Sequence, residues 1–82
     1  VVKLAVFHNP RATLVDRMVG RKIKERRLEQ GLAKQQVARH IGCSNAAYDA
    51  LEDGYLRPDV TTVHALAVLL KCRMSDFFTD IK

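Results

Sequence analysis

Eighty-two residues, 48% of them hydrophobic and 28% charged, suffice for one small domain with a single core and are too few for two. A formal charge of +5 is compatible with a polyanionic partner. No apolar run approaches the ~18 residues that cross a bilayer, so no membrane partner is expected and the chain reads as cytoplasmic.

Residues 1–9, VVKLAVFHN, are β-branched and apolar with partial alternation, and they end at Asn9-Pro10. They predict a short strand or extended arm with no strand partner in an otherwise helical chain. Such a segment would either pack on the helices or pair with a second copy of itself. The opening VVKLAVF is too short for a signal peptide and lacks a small-residue cleavage site. Residues 1–15 are therefore assigned to an N-terminal arm and a candidate dimerisation strand, and residues 16–82 to the folded domain.

A first helix is expected over residues 16–30, with Asp16 as N-cap or an earlier start offered by Asn9-Pro10, Val19, Ile23 and Arg27 on one stripe, and Gly31 as the stop. The run RKIKERR, residues 21–27, carries six charges in seven positions and reads either as a solvated face or as a phosphate attractor. A second helix follows over residues 34–41, with Val37, Ala38 and Ile41 inward. Ala33 stands at its cap, where a Ser or Thr would contribute about 1 kcal/mol. After Gly42-Cys43 a third helix opens on Ser44, a good N-cap, carries Tyr48 and Leu51 inward, and ends at Asp53-Gly54. The stretch YLRPD reads as a loop. A fourth helix is expected over residues 60–70, capped by Asp59 or Thr61, with Val63, Leu66, Ala67 and Leu70 as its stripe. Ser75 is expected to cap a final helical turn bearing Phe77 and Phe78.

The informative unit is AKQQVARHIGCSNAAYDALEDG: two short helices joined by a glycine-centred turn. A helix-turn-helix needs its second helix at ~90–120° to the first, across a 3–4-residue turn in which glycine accepts a positive φ. Small Ala38 permits close approach, and Ile41, Cys43, Tyr48 and Leu51 can close a core beneath the corner. The N-terminus of the third helix then projects outward, where free N–H groups favour phosphate and side chains can reach base edges.

In the order and spacing of VGRKIKERRLEQGL, Ala38 and Gly42, Ser44, LEDG, a proline-containing loop and VHALAVLLKCRMSDFF, the chain resembles the lambda-repressor/Cro-like, or xenobiotic-response-element type, helix-turn-helix family. The resemblance implies an all-α, compact five-helix bundle that binds operator DNA, usually as a dimer on a palindrome. It implies a structural ion pair between Arg27 and Glu52. It places Lys34, where the family commonly has Gln, at the opening of the second helix and against phosphate. It assigns base reading to Asn45, Ala46, Asp49 and Ala50.

Asn45 can pair with adenine through two hydrogen bonds. Ala46 and Ala50 can only touch a thymine methyl or leave space. Asp49 would repel phosphate, but it can accept from cytosine N4 or orient a neighbouring cation. Direct readout is therefore thin, and affinity should lean on Lys34, Arg39, Lys22 and Arg57 at the backbone and weaken steeply with salt. Gln35 and Ser44 complete the expected DNA-binding set. Tyr48 reads as core, His40 as solvent-facing and His64 as a structural neighbour of the core.

No nucleophile–base pairing, paired carboxylates or glycine-rich phosphate loop is found, so no catalytic residue is expected. Cys43 and Cys72 lack CxxC spacing and read as structural thiols in a reducing compartment. His8, His40 and His64 are scattered, so neither a metal site nor a cofactor is expected. The leading expectation is a sequence-specific transcriptional regulator, activator or repressor, that binds double-stranded DNA as a homodimer. Two alternatives stand beside it. One is the antitoxin of a toxin–antitoxin pair, with the N-terminal stretch gripping a toxin protein. The other is a protein-interaction module that kept this fold and lost DNA binding.

Overall fold

Helix α1 (Leu14–Glu29) buries Asp16, Val19, Gly20, Ile23 and Arg27, a single stripe at helical spacing. In the computed structural model, which describes residues 6–8 and 14–78, α1 starts ahead of the expected position. Asp16 is consequently not its cap. It lies in the first turn, where a carboxylate complements the helix dipole, and there it accepts two hydrogen bonds from Arg57.

Helices α2 (Lys34–Ile41) and α3 (Asn45–Asp53) form where the sequence places them. Ala33 cannot cap α2 with a side chain. Part of that loss is recovered from the other direction: Gln36 Oε1 accepts from the Ala33 N–H at 2.7 Å. The hydroxyl of Ser44 accepts from the Ala47 N–H at 3.0 Å, closing the first turn of α3. Between them Gly42 sits at φ 79°, a left-handed conformation that glycine adopts without a Cβ clash. It ends α2 through N–H bonds to the Ala38 and Arg39 carbonyls.

Helix α4 (Val60–Leu69) is capped by Asp59, whose carboxylate accepts from the Thr62 N–H at 2.8 Å. Its stripe of Val63, Leu66 and Ala67, with Leu70 just beyond, meets Val19 and Ile23 of α1, Val37, Ala38 and Ile41 of α2, and Tyr48 and Leu51 of α3 in one core. Phe77 closes that core from below.

Several expectations are corrected. Among the described residues four α-helices form, not five: the closing element, Met74–Phe78, is a 3-10 turn. Five residues are too short for a cooperative α-helix, and i→i+3 bonding is the usual conformation of such a short piece. Its start is closed by Asp76, which accepts from the Arg73 N–H, so Ser75 lies inside the turn and does not cap it. The fold is therefore mostly helical and not purely α. The stretch read as a loop forms strand β2 (Leu56–Pro58), antiparallel to strand β1 (Val6–His8) of the same chain, with Phe7 opposite Arg57. The segment expected to lack an internal partner thus has one. Pro58 lies at the end of the two-stranded ribbon, where its missing N–H costs no interior ladder bond. The rest of the expected arm, residues 1–5 and 9–13, lies outside the described residues, as do residues 79–82. Finally, His64 is exposed like His40 and packs on no core.

Candidate functional site

The corner between α2 and α3 is held from behind by a buried ion pair. Arg27 donates to both carboxylate oxygens of Glu52, at 2.6 Å from Nε and 3.3 Å from Nη2, and its Nη1 donates to the Leu32 carbonyl at 2.8 Å. Both side chains are almost wholly buried, at 7% and 2% exposure. Hydrogen bonding to Glu52 holds the Arg27 guanidinium above its ordinary pKa. Burial, reinforced by the neighbouring Glu52 carboxylate, pushes the Tyr48 phenol well above its ordinary range. The pair joins the C-terminal end of α1 to the C-terminal end of α3 and, through Leu32, to the turn that precedes α2. It fixes the orientation of α3 without facing solvent.

With Tyr48, Leu51 and Glu52 buried, the opposite face of α3 is Asn45, Ala46 and Asp49, all exposed, with Ala50 half-buried beside them. The four positions to which the resemblance assigned base reading therefore fall on the outward side of this helix or at its margin. Gln35, Arg39, Ser44 and Asn45 line a shallow polar cleft at the junction of the two helices, over Cys43. Sequence reasoning picked four of these five. Cys43 was assigned only to the core, and the structure leaves it half-buried under the cleft. Burial raises the pKa of its thiol, so it lies there as a small uncharged wall.

Lys34, at the first position of α2, reaches across to α3. Its Nζ lies 3.0 Å from Asp49 Oδ1, with both side chains about half exposed. The bond to Asp49 raises the Lys34 pKa. This realises one of the two roles considered for Asp49, the orientation of a neighbouring cation. Lys22, also expected to meet the DNA backbone, lies 3.5 Å from Glu25 of its own helix.

Arg57 is not part of this cleft. It is clamped by the buried Asp16 at 3.0 and 3.2 Å and lines a separate, apolar groove with Val15, Leu56, Val60 and Phe78. Its guanidinium pins β2 to the first turn of α1, a long-range pairing that no local spacing announces. A second feature missed by sequence reading is Gly20. A Cβ there would lie 2.5 Å from the carbonyl oxygens of both Leu51 and Glu52, so α1 and α3 are in backbone contact. The available signal was a glycine in mid-helix on the buried stripe, an expensive choice unless another backbone must come close.

Among the described residues no group of three or more His, Cys, Asp or Glu side chains could hold a metal ion, and no helix is long and apolar enough to cross a membrane.

Comparison with known proteins agrees with this geometry. The family model for HTH_3, described as helix-turn-helix, matches residues 23–77. Among solved structures, the restriction-modification controller protein C.AhdI from Aeromonas hydrophila superposes with a TM-score of 0.70 at 21% identity, over 76% of this chain and 94% of that one. An HTH_3 family transcriptional regulator from Vibrio cholerae gives a TM-score of 0.70 at 25% identity, over 83% of this chain and 38% of that longer one. A hypothetical transcription factor, NHTF, from Neisseria gives 0.71 at 14% identity, over 94% and 87%. The curated proteins yield no match. The matched span covers both helices of the corner, the buried ion pair and the closing turn, and the chain belongs to the HTH_3 helix-turn-helix family as a DNA-binding regulator of the Cro/C1 type.

Proposed function

We propose that the protein is a non-catalytic, cytoplasmic transcriptional regulator that binds operator DNA sequence-specifically, with α3 in the major groove. One observation carries the reading: the outward face of α3 presents Asn45, Ala46 and Asp49 beside a polar cleft built by Gln35, Arg39 and Ser44. In a docked helix-turn-helix the N-terminal residues of the second helix meet base edges, and the first helix crosses the backbone. On this reading Asn45 is the principal base reader, with Ala46 and Ala50 as apolar contacts or gaps. Lys34, Gln35, Arg39 and Ser44 meet phosphate. Arg57, held by Asp16 on another part of the surface, contributes charge near the backbone rather than a base contact.

The experiment is a fluorescence titration of duplex DNA, first of mixed sequence and then of a selected operator, at two salt concentrations. Binding should weaken steeply with salt. Lys34→Ala should weaken binding to all sequences alike. Asn45→Ala should cost about 1–3 kcal/mol on the operator and leave mixed-sequence binding nearly unchanged. Absence of salt-dependent binding at micromolar protein would reject the reading, and it would favour a module that kept the fold without its ligand.

The protein is further proposed to act as a homodimer, presenting two copies of α3 about 34 Å apart, one turn of DNA. Strand β1 uses one edge to pair with β2, and a two-stranded ribbon offers a second edge on which a symmetry mate can add. Sedimentation should give the mass of two chains at micromolar concentration. Deletion of residues 1–9 should shift it to one chain, and an undisturbed dimer after that deletion would place the interface elsewhere.

A further inference from the structure

The Lys34–Asp49 bridge lies on the proposed DNA face, and it joins the expected phosphate-binding cation to the only carboxylate among the assigned base-reading positions. Its 3.0 Å contact spans two helices that the core and the Arg27–Glu52 pair hold in fixed orientation. Lys34 opens α2, and Asp49 lies one turn into α3 beyond the exposed Asn45. A phosphate must compete with Asp49 for the charge of Lys34, and a base must compete with Lys34 for the Asp49 carboxylate.

We propose that Asp49 is a specificity-determining residue that acts by exchange, its carboxylate standing in for a DNA phosphate on Lys34 in the free protein. Docking moves Lys34 to the backbone and releases Asp49 toward the groove floor. On a sequence that places a cytosine N4–H donor there, the carboxylate regains a hydrogen bond. On any other sequence it is left facing acceptors and phosphates, and it takes up a cation from solution. Asp49 thereby holds down binding to indifferent DNA more than to an operator with cytosine at that position. This gives direct readout to a helix whose neighbouring positions, Ala46 and Ala50, offer none. The inference rests on the DNA-binding reading given above.

The test compares Asp49→Asn with Asp53→Asn, which makes the same change in net charge at an exposed residue at the end of the same helix. On mixed-sequence duplex at low salt, Asp49→Asn should bind about three- to fivefold more tightly than the parent, the range expected for releasing one exposed ion pair. Its salt slope should steepen by up to about one, because no freed carboxylate takes up a cation. Asp53→Asn should change affinity less than twofold on the same scale. In a Lys34→Ala background the Asp49 substitution should lose most of its effect, since the two residues act as a pair. Equal gains from Asp49→Asn and Asp53→Asn would overturn the exchange, leaving net charge as the cause. A gain that survives intact without Lys34 would also overturn it, leaving plain repulsion. If the parent and both variants fail to bind any duplex, the DNA-binding reading itself falls. If the parent binds and Asp49→Asn gains nothing, only the exchange falls.

Discussion

Replacing Gly20 with alanine should destabilise the domain by about 3 kcal/mol or more. The added methyl would have to sit 2.5 Å from two backbone oxygens, those of Leu51 and Glu52. Neither can swing aside as a side-chain tip would. Helix α1 must instead move off α3, and the movement opens the core at Val19, Ile23 and Leu51 and strains the geometry of the Arg27–Glu52 pair. The thermal midpoint, followed by circular dichroism, should fall by at least roughly 12 °C for a domain of this size. Gly31→Ala is the matched control. Nothing lies within 4 Å of its Cβ position, and only its φ of +69° opposes a side chain. That substitution should cost about 1–2 kcal/mol. Similar losses at the two glycines would mean that the α1–α3 contact is looser than described. Because α3 is positioned by this contact, Gly20→Ala should also lower DNA affinity at temperatures where most of the protein remains folded.

The Arg27–Glu52 pair should give the other large effect. Arg27→Met leaves a carboxylate buried without its cation and removes the donor that satisfies the Leu32 carbonyl. Glu52→Leu leaves the guanidinium buried without its carboxylate. Breaking a buried pair from one side typically costs about 3–5 kcal/mol, a large part of the stability of a domain this small. Replacing both with apolar residues of similar volume, as in Arg27→Met with Glu52→Leu, should recover much of that loss, because no uncompensated charge remains. Urea denaturation of the two single variants and the double variant forms the cycle. A double variant that loses the sum of the two single losses would show that the residues are not coupled. The recovered protein is also informative about function. If the pair serves to orient α3, the apolar double variant should fold and yet bind DNA with less discrimination between operator and mixed sequence.

The helices and their inward faces were legible because they follow local rules. Val37, Ala38 and Ile41 recur at the spacing of one helix face, Ser44 stands where a cap is needed, and Gly42 where the backbone must turn left-handed. The family resemblance supplied the Arg27–Glu52 pairing, which the structure contains. Long-range geometry was not legible. Strand β2 owes its existence to Val6–His8, some fifty residues earlier in the chain, and YLRPD alone looks like a proline-bearing loop. The same distance hid the partnership of Asp16 with Arg57, so one was read as a cap and the other as a phosphate contact. At the candidate site the outward residues could be named from the register of α3. The bridge between Lys34 and Asp49 needed the crossing of two helices, which spacing along the chain does not specify. His64 was misjudged because it follows Val63 directly, and one residue of helix rotation is enough to carry a side chain from the core into solvent.

The central claim is that α3, backed by the opening of α2, is the face that meets DNA. The most direct measurement is a titration of 15N-labelled protein with duplex DNA, read as changes in amide chemical shift residue by residue. The largest changes should map to Lys34, Gln35 and Arg39 and to Ser44 through Ala50, with those of the exposed faces of α1 and α4 small. A pattern centred on the apolar groove between Val15, Val60 and Phe78, with the α3 amides unmoved, would contradict the account.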